Sequence, residues 1–374
     1  MKNYILKIIN RIPSFKVLKI YFRDRLSYWK LLIRKKINTN REPFFYIHIG
    51  PGKTGTSVIQ NWSINNVDFL AKNDIYYPAH SLDSNGVSGG HQLLILSQSD
   101  NGWYVDKNKV TKLLKEVKAR KEKHILLSSE RFWQYLDELI ECFPNAKFIF
   151  YIRSSLDHFE SGYNQQVKRN NLTAPIADRF KNFSPLPYAS KKLVETVEKR
   201  GLDRFHIRLY DRDLFKHSNI LYDFFEAIFN LTPTNIIIKN VNSSYCLEAL
   251  EFKRFINQYK LEEIEMIKLD QVLQRYEDGN FNYTLIPRRI YSQFKIRVVK
   301  KTIELFDKLK INSKQRELFI ENIERESRYE VYEQVISEGS KENIFSFIKK
   351  ENAMLEKALR KKILNNNRKA TVKN

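Results

Sequence analysis

The sequence predicts an α/β fold in three layers, a central parallel sheet flanked by helices, followed by a helical C-terminal part. Three observations predict it. From Pro43 onward, short apolar runs alternate with segments of helical period; beyond about Val241 the pattern is helical throughout; and glycine-containing and polar motifs fall where the apolar runs end. Alternation of strand and helix signals gives parallel sheets covered by helices, whose ligands bind at the carboxyl ends of the strands.

Taken in order, residues 1–42 form a basic segment in which Tyr21, Phe22, Tyr28, Trp29, Leu31, Leu32 and Ile33 are interleaved with Lys and Arg. That composition suits a helix, either docked on the body or lying on an anionic membrane surface. Lys2, Lys7, Arg11, Lys16, Lys19, Arg23 and Arg25 interrupt its apolar residues, so neither a signal peptide nor a membrane span is expected. The expected location is cytoplasmic, with peripheral contact at the inner face of the membrane as the further expectation. Residues 44–49, 124–127, 147–152 and 205–210 are rich in β-formers and of strand length, while stretches near 57–71, 107–122, 155–169 and 189–200 read as helices. Residues 43–240 thus form an α/β core. Residues 241–374 form a helical part of the same domain, with Leu247, Leu250, Phe252, Phe255 and Ile256, and again Phe345, Phe347, Ile348, Met354, Leu355 and Leu359, at helical spacing. The polar tail from Asn365 is expected to fray.

Of 374 residues, 42% are hydrophobic, enough for a sizeable core. Lys and Arg outnumber Asp and Glu by 65 to 43, a formal charge of +22, which calls for an anionic partner. Cys142 and Cys246 are too few and too far apart for a disulfide framework or a thiolate metal site. The histidines show no metal-ligand spacing, and no metal is expected.

The first apolar run ends in Gly50-Pro51-Gly52-Lys53-Thr54-Gly55-Thr56-Ser57 and passes into a helical pattern carrying Val58, Ile59 and Trp62. Glycines let the backbone turn tightly and approach a ligand, and free N–H groups at a helix start bind anions. Lys53 adds charge, and Thr54, Thr56 and Ser57 add hydroxyl donors. The nucleoside-triphosphate loop would place lysine after the last glycine, where Thr56 stands. The other strands end in Ser128-Ser129-Glu130 and in Arg153, neither offering the aspartate that holds magnesium.

With its glycine loop the chain resembles the sulfotransferases that use 3′-phosphoadenosine 5′-phosphosulfate (PAPS), particularly bacterial carbohydrate-type members. Lys147 to Arg153 followed by Ser161 is similar to that family's 3′-phosphate site. The likeness spans roughly 43–360, with looser blocks at 205–211, 242–250 and 347–355. It implies a P-loop-type fold, PAPS as donor with its 3′,5′-bisphosphate as product, and transfer to a hydroxyl, with Lys53 stabilising the leaving oxygen. Tyr210 would lie near the nucleotide, or else be a core aromatic. Ser154 with Asp157 can form a capping box, and Leu156, Phe159, Tyr163 and Val167 give the following helix an apolar face, with Ser161 about two turns in.

Two residues compete as general base. His91, in Gly89-Gly90-His91-Gln92, resembles a histidine of bacterial relatives, and an imidazole titrates near the working pH. Glu130, ending the 124–129 run, is the rival, as base or acceptor-binding residue. His48, just before the glycine loop, either shapes or faces the site or, as the favoured reading, is a strand histidine satisfied by packing. The expected acceptor is a glycan or glycolipid, with specificity in the 80–92 loop and the C-terminal part. A P-loop kinase and a basic nucleic-acid-binding protein are the alternatives; no nucleic-acid motif is present, and no nucleic-acid partner is expected.

Overall fold

The computed structural model describes residues 42–80, 88–234, 236, 245–325 and 333–371. Nearly all of the basic 1–42 segment, residues 81–87 of the 80–92 loop, the 240/241 boundary and the 242–244 start of the 242–250 block lie outside the described residues. The chain divides into two compact units that are not consecutive blocks: one holds Met1–Arg153, Pro187–Ile238 and Ile303–Phe319, the other Ser154–Leu186, Lys239–Thr302 and Ile320–Asn374.

The first unit carries β1 (Phe44–His48), α1 (Thr56–Asn65), α2 (Val67–Lys72), β2 (Ile75–Tyr76), α3 (Gln92–Ile95), β3 (Leu96–Ser99), β4 (Gly102–Val105), α4 (Lys107–Lys118), β5 (His124–Ser128), α5 (Leu136–Cys142) and β6 (Lys147–Ile152). After α6 (Ser155–Arg169), which belongs to the second unit, it resumes with α7 (Tyr188–Arg200), β7 (Phe205–Leu209) and α8 (Ile220–Phe229). Five strands form one sheet in the order β2-β5-β1-β6-β7, and every neighbouring pair is parallel. The register sets His48 against Ser128 on one side and Ile149 on the other. Ile125, Leu126 and Leu127 on β5 and Phe148 through Ile152 on β6 are all buried. Strands covered on both faces read as such unbroken apolar runs.

Sheet order positions the site. β1 lies between β5 and β6, so the segments leaving these three strands emerge side by side at one end of the sheet, as at the switch point of an open parallel sheet.

The second unit, helical among its described residues, adds α9 (Leu247–Ile256), α10 (Glu263–Leu273), α13 (Glu338–Glu351) and α14 (Ala353–Thr371), and it shares α11 (Arg288–Leu309) and α12 (Ser313–Arg325) with the first. On α6, Phe159 packs edge-on against Phe183, which stacks on Phe294 at 3.8 Å. Glu160 is buried and accepts from the Leu285 N–H at 2.8 Å. Asp270 takes the Tyr245 hydroxyl and an Arg169 ion pair at 3.1 Å, beside fully buried Lys253.

Several elements differ from the expectations. The helix near 57–71 breaks at Asn66, which leaves helical geometry (φ −124°, ψ 28°) and bonds Trp62 O through its side chain. The helix expected over 107–122 ends at Lys118; Asp106 caps its start by accepting from the Asn108 and Lys109 N–H groups. The capping box of Ser154 with Asp157 does not form, since the Ser154 side chain makes no cap bond. Strand β2, of two residues, and the antiparallel hairpin of the polar β3 with the four-residue β4 are too short to show as strand-length apolar runs in the sequence. In the C-terminal part, Leu355 and Leu359 are buried as their spacing predicts, whereas Met354 faces solvent at 81% exposure. The tail expected to fray from Asn365 is helical to Thr371.

Candidate active site

Residues 50–57 turn from β1 into α1. Thr56 opens the helix, and Gly55, at φ +75°, stands at its N-cap. The backbone angle favours glycine, and a β-carbon there would also crowd Ile220 at 3.1 Å and Tyr210 at 3.2 Å. Lys53 also takes a left-handed conformation, at φ +72°. The N–H groups of Thr54, Gly55, Thr56 and Ser57 donate to no backbone carbonyl among the described residues, as the first turn of a helix requires. Thr54 and Thr56 are buried, and their hydroxyls donate to Pro51 O at 2.7 and 3.5 Å. The result is a cluster of N–H groups with no backbone acceptor, with Lys53 in the same turn, a combination able to hold an anion.

Arg153, one residue beyond β6, reaches this loop. One of its terminal nitrogens donates to Lys53 O at 2.6 Å, which pins the left-handed residue, and its guanidinium lies 5.1 Å from the centre of the Tyr210 ring. Tyr210 leaves β7, donates its N–H to Ile152 O at 2.7 Å, and packs edge-on against Phe215. It serves as a wall to the loop and as a partner to the core at once.

Glu130 follows β5 and lies across the glycine turn. A β-carbon at Gly52 would meet its Oε2 at 3.0 Å. Although Glu130 is exposed as a residue, its carboxylate end is crowded; that desolvation pushes its pKa up, and the nearby Lys53 charge pulls it part of the way back. Lys53, Arg153, Glu130 and Tyr210 therefore meet at the ends of neighbouring strands.

His91 is not brought to that group. It is fully buried, its Nε2 lies 2.9 Å from Pro78 O, and its Nδ1 accepts from the Ser128 N–H at 2.9 Å. Burial, with His80 close by, holds its pKa well below the ordinary value. With both nitrogens spent on the backbone, the ring ties the 88–92 segment to β5. Nor does it act as a capping side chain for α3. Ser161 lies on α6, half-buried, in the second unit.

Two features go beyond the favoured sequence reading, which for His48 is packing rather than a part in shaping the site. His48 is not satisfied by packing: it is fully buried, yet its Nε2 has no hydrogen-bond partner among the described residues. A methyl at Gly50 would lie 2.6 Å from that nitrogen. Just after Glu130 in the chain, two residues meet aromatic rings: Arg131 stacks 5.0 Å over Trp103, and Trp133 packs edge-on against Tyr188, which is 74% exposed. The Glu130-Arg131-Phe132-Trp133 run was a legible signal for these contacts, whereas the distant Trp103 and Tyr188 were not. No group of three His, Cys, Asp or Glu gathers to hold a metal among the described residues.

One solved structure is similar in part. A sulfotransferase from Alicyclobacillus acidocaldarius aligns with 74% of this chain and 100% of its own, at 13% identity and a TM-score of 0.39. The α/β assignment rests on the sheet order and register themselves. No protein-family model matches the chain, and no curated protein matches its sequence.

Proposed function

We propose that the protein is a sulfotransferase that moves a sulfuryl group from PAPS to a hydroxyl of a glycan or glycolipid. The observation that carries this reading is the meeting of the 50–57 loop, Lys53, Arg153 and the Glu130 carboxylate at the ends of three adjacent strands. The loop N–H groups and the Thr54, Thr56 and Ser57 hydroxyls suit the 5′-phosphosulfate. Arg153, with Tyr210 beside it, suits a second anionic group of the nucleotide, and Ser161 carries its 3′-phosphate role on the resemblance alone.

In this reading the acceptor oxygen bonds to sulfur as the bond from sulfur to the bridging oxygen breaks. Glu130 takes the acceptor's proton, and Lys53 neutralises the charge that grows on the departing bisphosphate. Glu130 is favoured over His91 because its carboxylate faces the loop, while both nitrogens of His91 are engaged inside the protein. The raised pKa of Glu130 makes it a stronger base than an ordinary carboxylate. For the acceptor, the Trp103–Arg131 stack and the Trp133–Tyr188 pair, built on residues one and three positions after Glu130, offer apolar faces and a positive charge, which suits an acidic sugar ring.

We place the protein in the cytoplasm, with the basic 1–42 segment as its contact to an anionic membrane; no described helix is long and apolar enough to cross one. Radiolabelled PAPS incubated with a panel of glycan and glycolipid acceptors tests the activity. Label should pass to a hydroxyl with wild-type protein and not with Lys53→Ala. Transfer undiminished in that variant contradicts the assignment of Lys53.

A further inference from the structure

Beneath the loop, three buried side chains join β1, α1 and β5. His48 Nδ1 lies 3.0 Å from Ser128 Oγ, and Gln60 Nε2 donates to the same oxygen at 3.0 Å. His48, Gln60 and Ser128 are all at 0% exposure. The opposite edge of the imidazole points into the loop: the β-carbon position of Gly50 is 2.6 Å from His48 Nε2, 3.1 Å from Thr54 Oγ1 and 3.3 Å from Thr56 Oγ1. One point on the floor of the cradle is thus ringed by an imidazole nitrogen with no partner and by two hydroxyls that donate to Pro51 O. A buried polar atom left without a partner weakens a fold, so its place here needs an account.

We propose that His48 is a positioning residue of the anion-binding loop: held by Ser128, it sets the depth of the Gly50 turn and offers Nε2 to the threonine hydroxyls as they leave Pro51 for a bound phosphosulfate. The identity of that anion rests on the function proposed above. Gln60 fills one lone pair of Ser128 Oγ, which leaves the hydroxyl proton free to go to Nδ1 and the ring's own proton on Nε2. From there it is donated to a threonine oxygen, whose own hydrogen remains for the ligand. Burial pushes the His48 pKa down to about 3, so the ring keeps a single proton across the working range. His48 lies under the loop and does not touch the ligand itself.

The test uses the full chain with His48→Phe, which keeps ring bulk and removes both nitrogens, and with His48→Gln, which restores a donor. Titration calorimetry is run with adenosine 3′,5′-bisphosphate and separately with ATP, alongside thermal melting and the KM of donor and acceptor. His48→Phe should weaken bisphosphate binding about tenfold and raise the donor KM while the acceptor KM holds, as the loss of one hydrogen-bond partner would do. Its melting point should hold or rise, because the unpaired nitrogen is gone, and His48→Gln should recover part of the affinity. Gly50→Ala, which drives a methyl onto Nε2, is the second variant and should show the same loss. Wild-type affinity in both His48→Phe and Gly50→Ala overturns the proposal while leaving the function standing. A wild-type protein that binds ATP and not the bisphosphate overturns the function instead; His48 is then read on ATP, where a tenfold loss sustains its role and none removes it. If the wild type binds neither nucleotide, both fall.

Discussion

The carboxylate of Glu130 meets two opposed influences, crowding against Gly52 that favours its protonated form and the Lys53 charge that favours the ionised one, with crowding the larger. The proposed mechanism needs Glu130 ionised to act as the base, so kcat/KM should rise with pH through a midpoint above the ordinary glutamate value. Glu130→Gln should lower kcat by about 100-fold or more and remove that acid limb, with nucleotide affinity kept. A kcat within a few-fold of wild type in that variant would return the base to another group. The cradle residues were legible because Gly50 through Ser57 are contiguous, and each contributes a local property: a turn, a charge or a hydroxyl. His91 and His48 were not, because their roles depend on what packs around them. The rings of Tyr77 and His80 lie 4.5 and 4.8 Å from His91, and the loop closes over His48.

At the scale of elements, the passage from β1 to α1 hinges on Gly55. Gly55→Ala would impose a left-handed backbone costing about 1–2 kcal/mol and push a methyl to 3.1 Å from Ile220 and 3.2 Å from Tyr210. The melting point should fall and nucleotide binding should weaken together, which scanning calorimetry and titration read side by side. Equal stability and affinity in the variant would mean that the turn is not held as described. The inner strands β1, β5 and β6 were readable because parallel strands buried on both faces are near-continuous apolar runs, and the edge strand β7 because Phe205, Ile207 and Leu209 alternate with His206 and Arg208. The two-residue β2 and the polar Leu96–Ser99 strand exist through pairing partners and leave no such trace. The Ser154 cap failed for a related reason: the spacing fits a capping box, but the side chain does not turn onto the helix start.

At the scale of the whole molecule, the chain interleaves its two compact units, with residues 154–186 joining the helical one and 303–319 the sheet-bearing one. A reading along the sequence cuts such a molecule into blocks, because the sequence signals are local and the packing is not. The helical unit carries a charge with a calculable effect. Burial pushes the Lys253 pKa down to about 8 from 10.5, with Asp270 opposing. The unfolded chain therefore holds more protons between those values, so the group's penalty is complete below about pH 8 and fades as pH rises toward 10.5. Lys253→Met should stabilise the fold at pH 7, by on the order of 3 kcal/mol at most, with the gain shrinking above pH 8 in denaturant titrations. A variant less stable than wild type at pH 7 would contradict this. The central claim is that the cradle and Arg153 hold a nucleotide phosphorylated at both ends, and titration calorimetry tests it most directly. Adenosine 3′,5′-bisphosphate should bind without magnesium, more tightly than ATP, and Arg153→Ala should lose about 1.5–3 kcal/mol of that affinity. Tight, magnesium-dependent ATP binding with no response to the bisphosphate would contradict it.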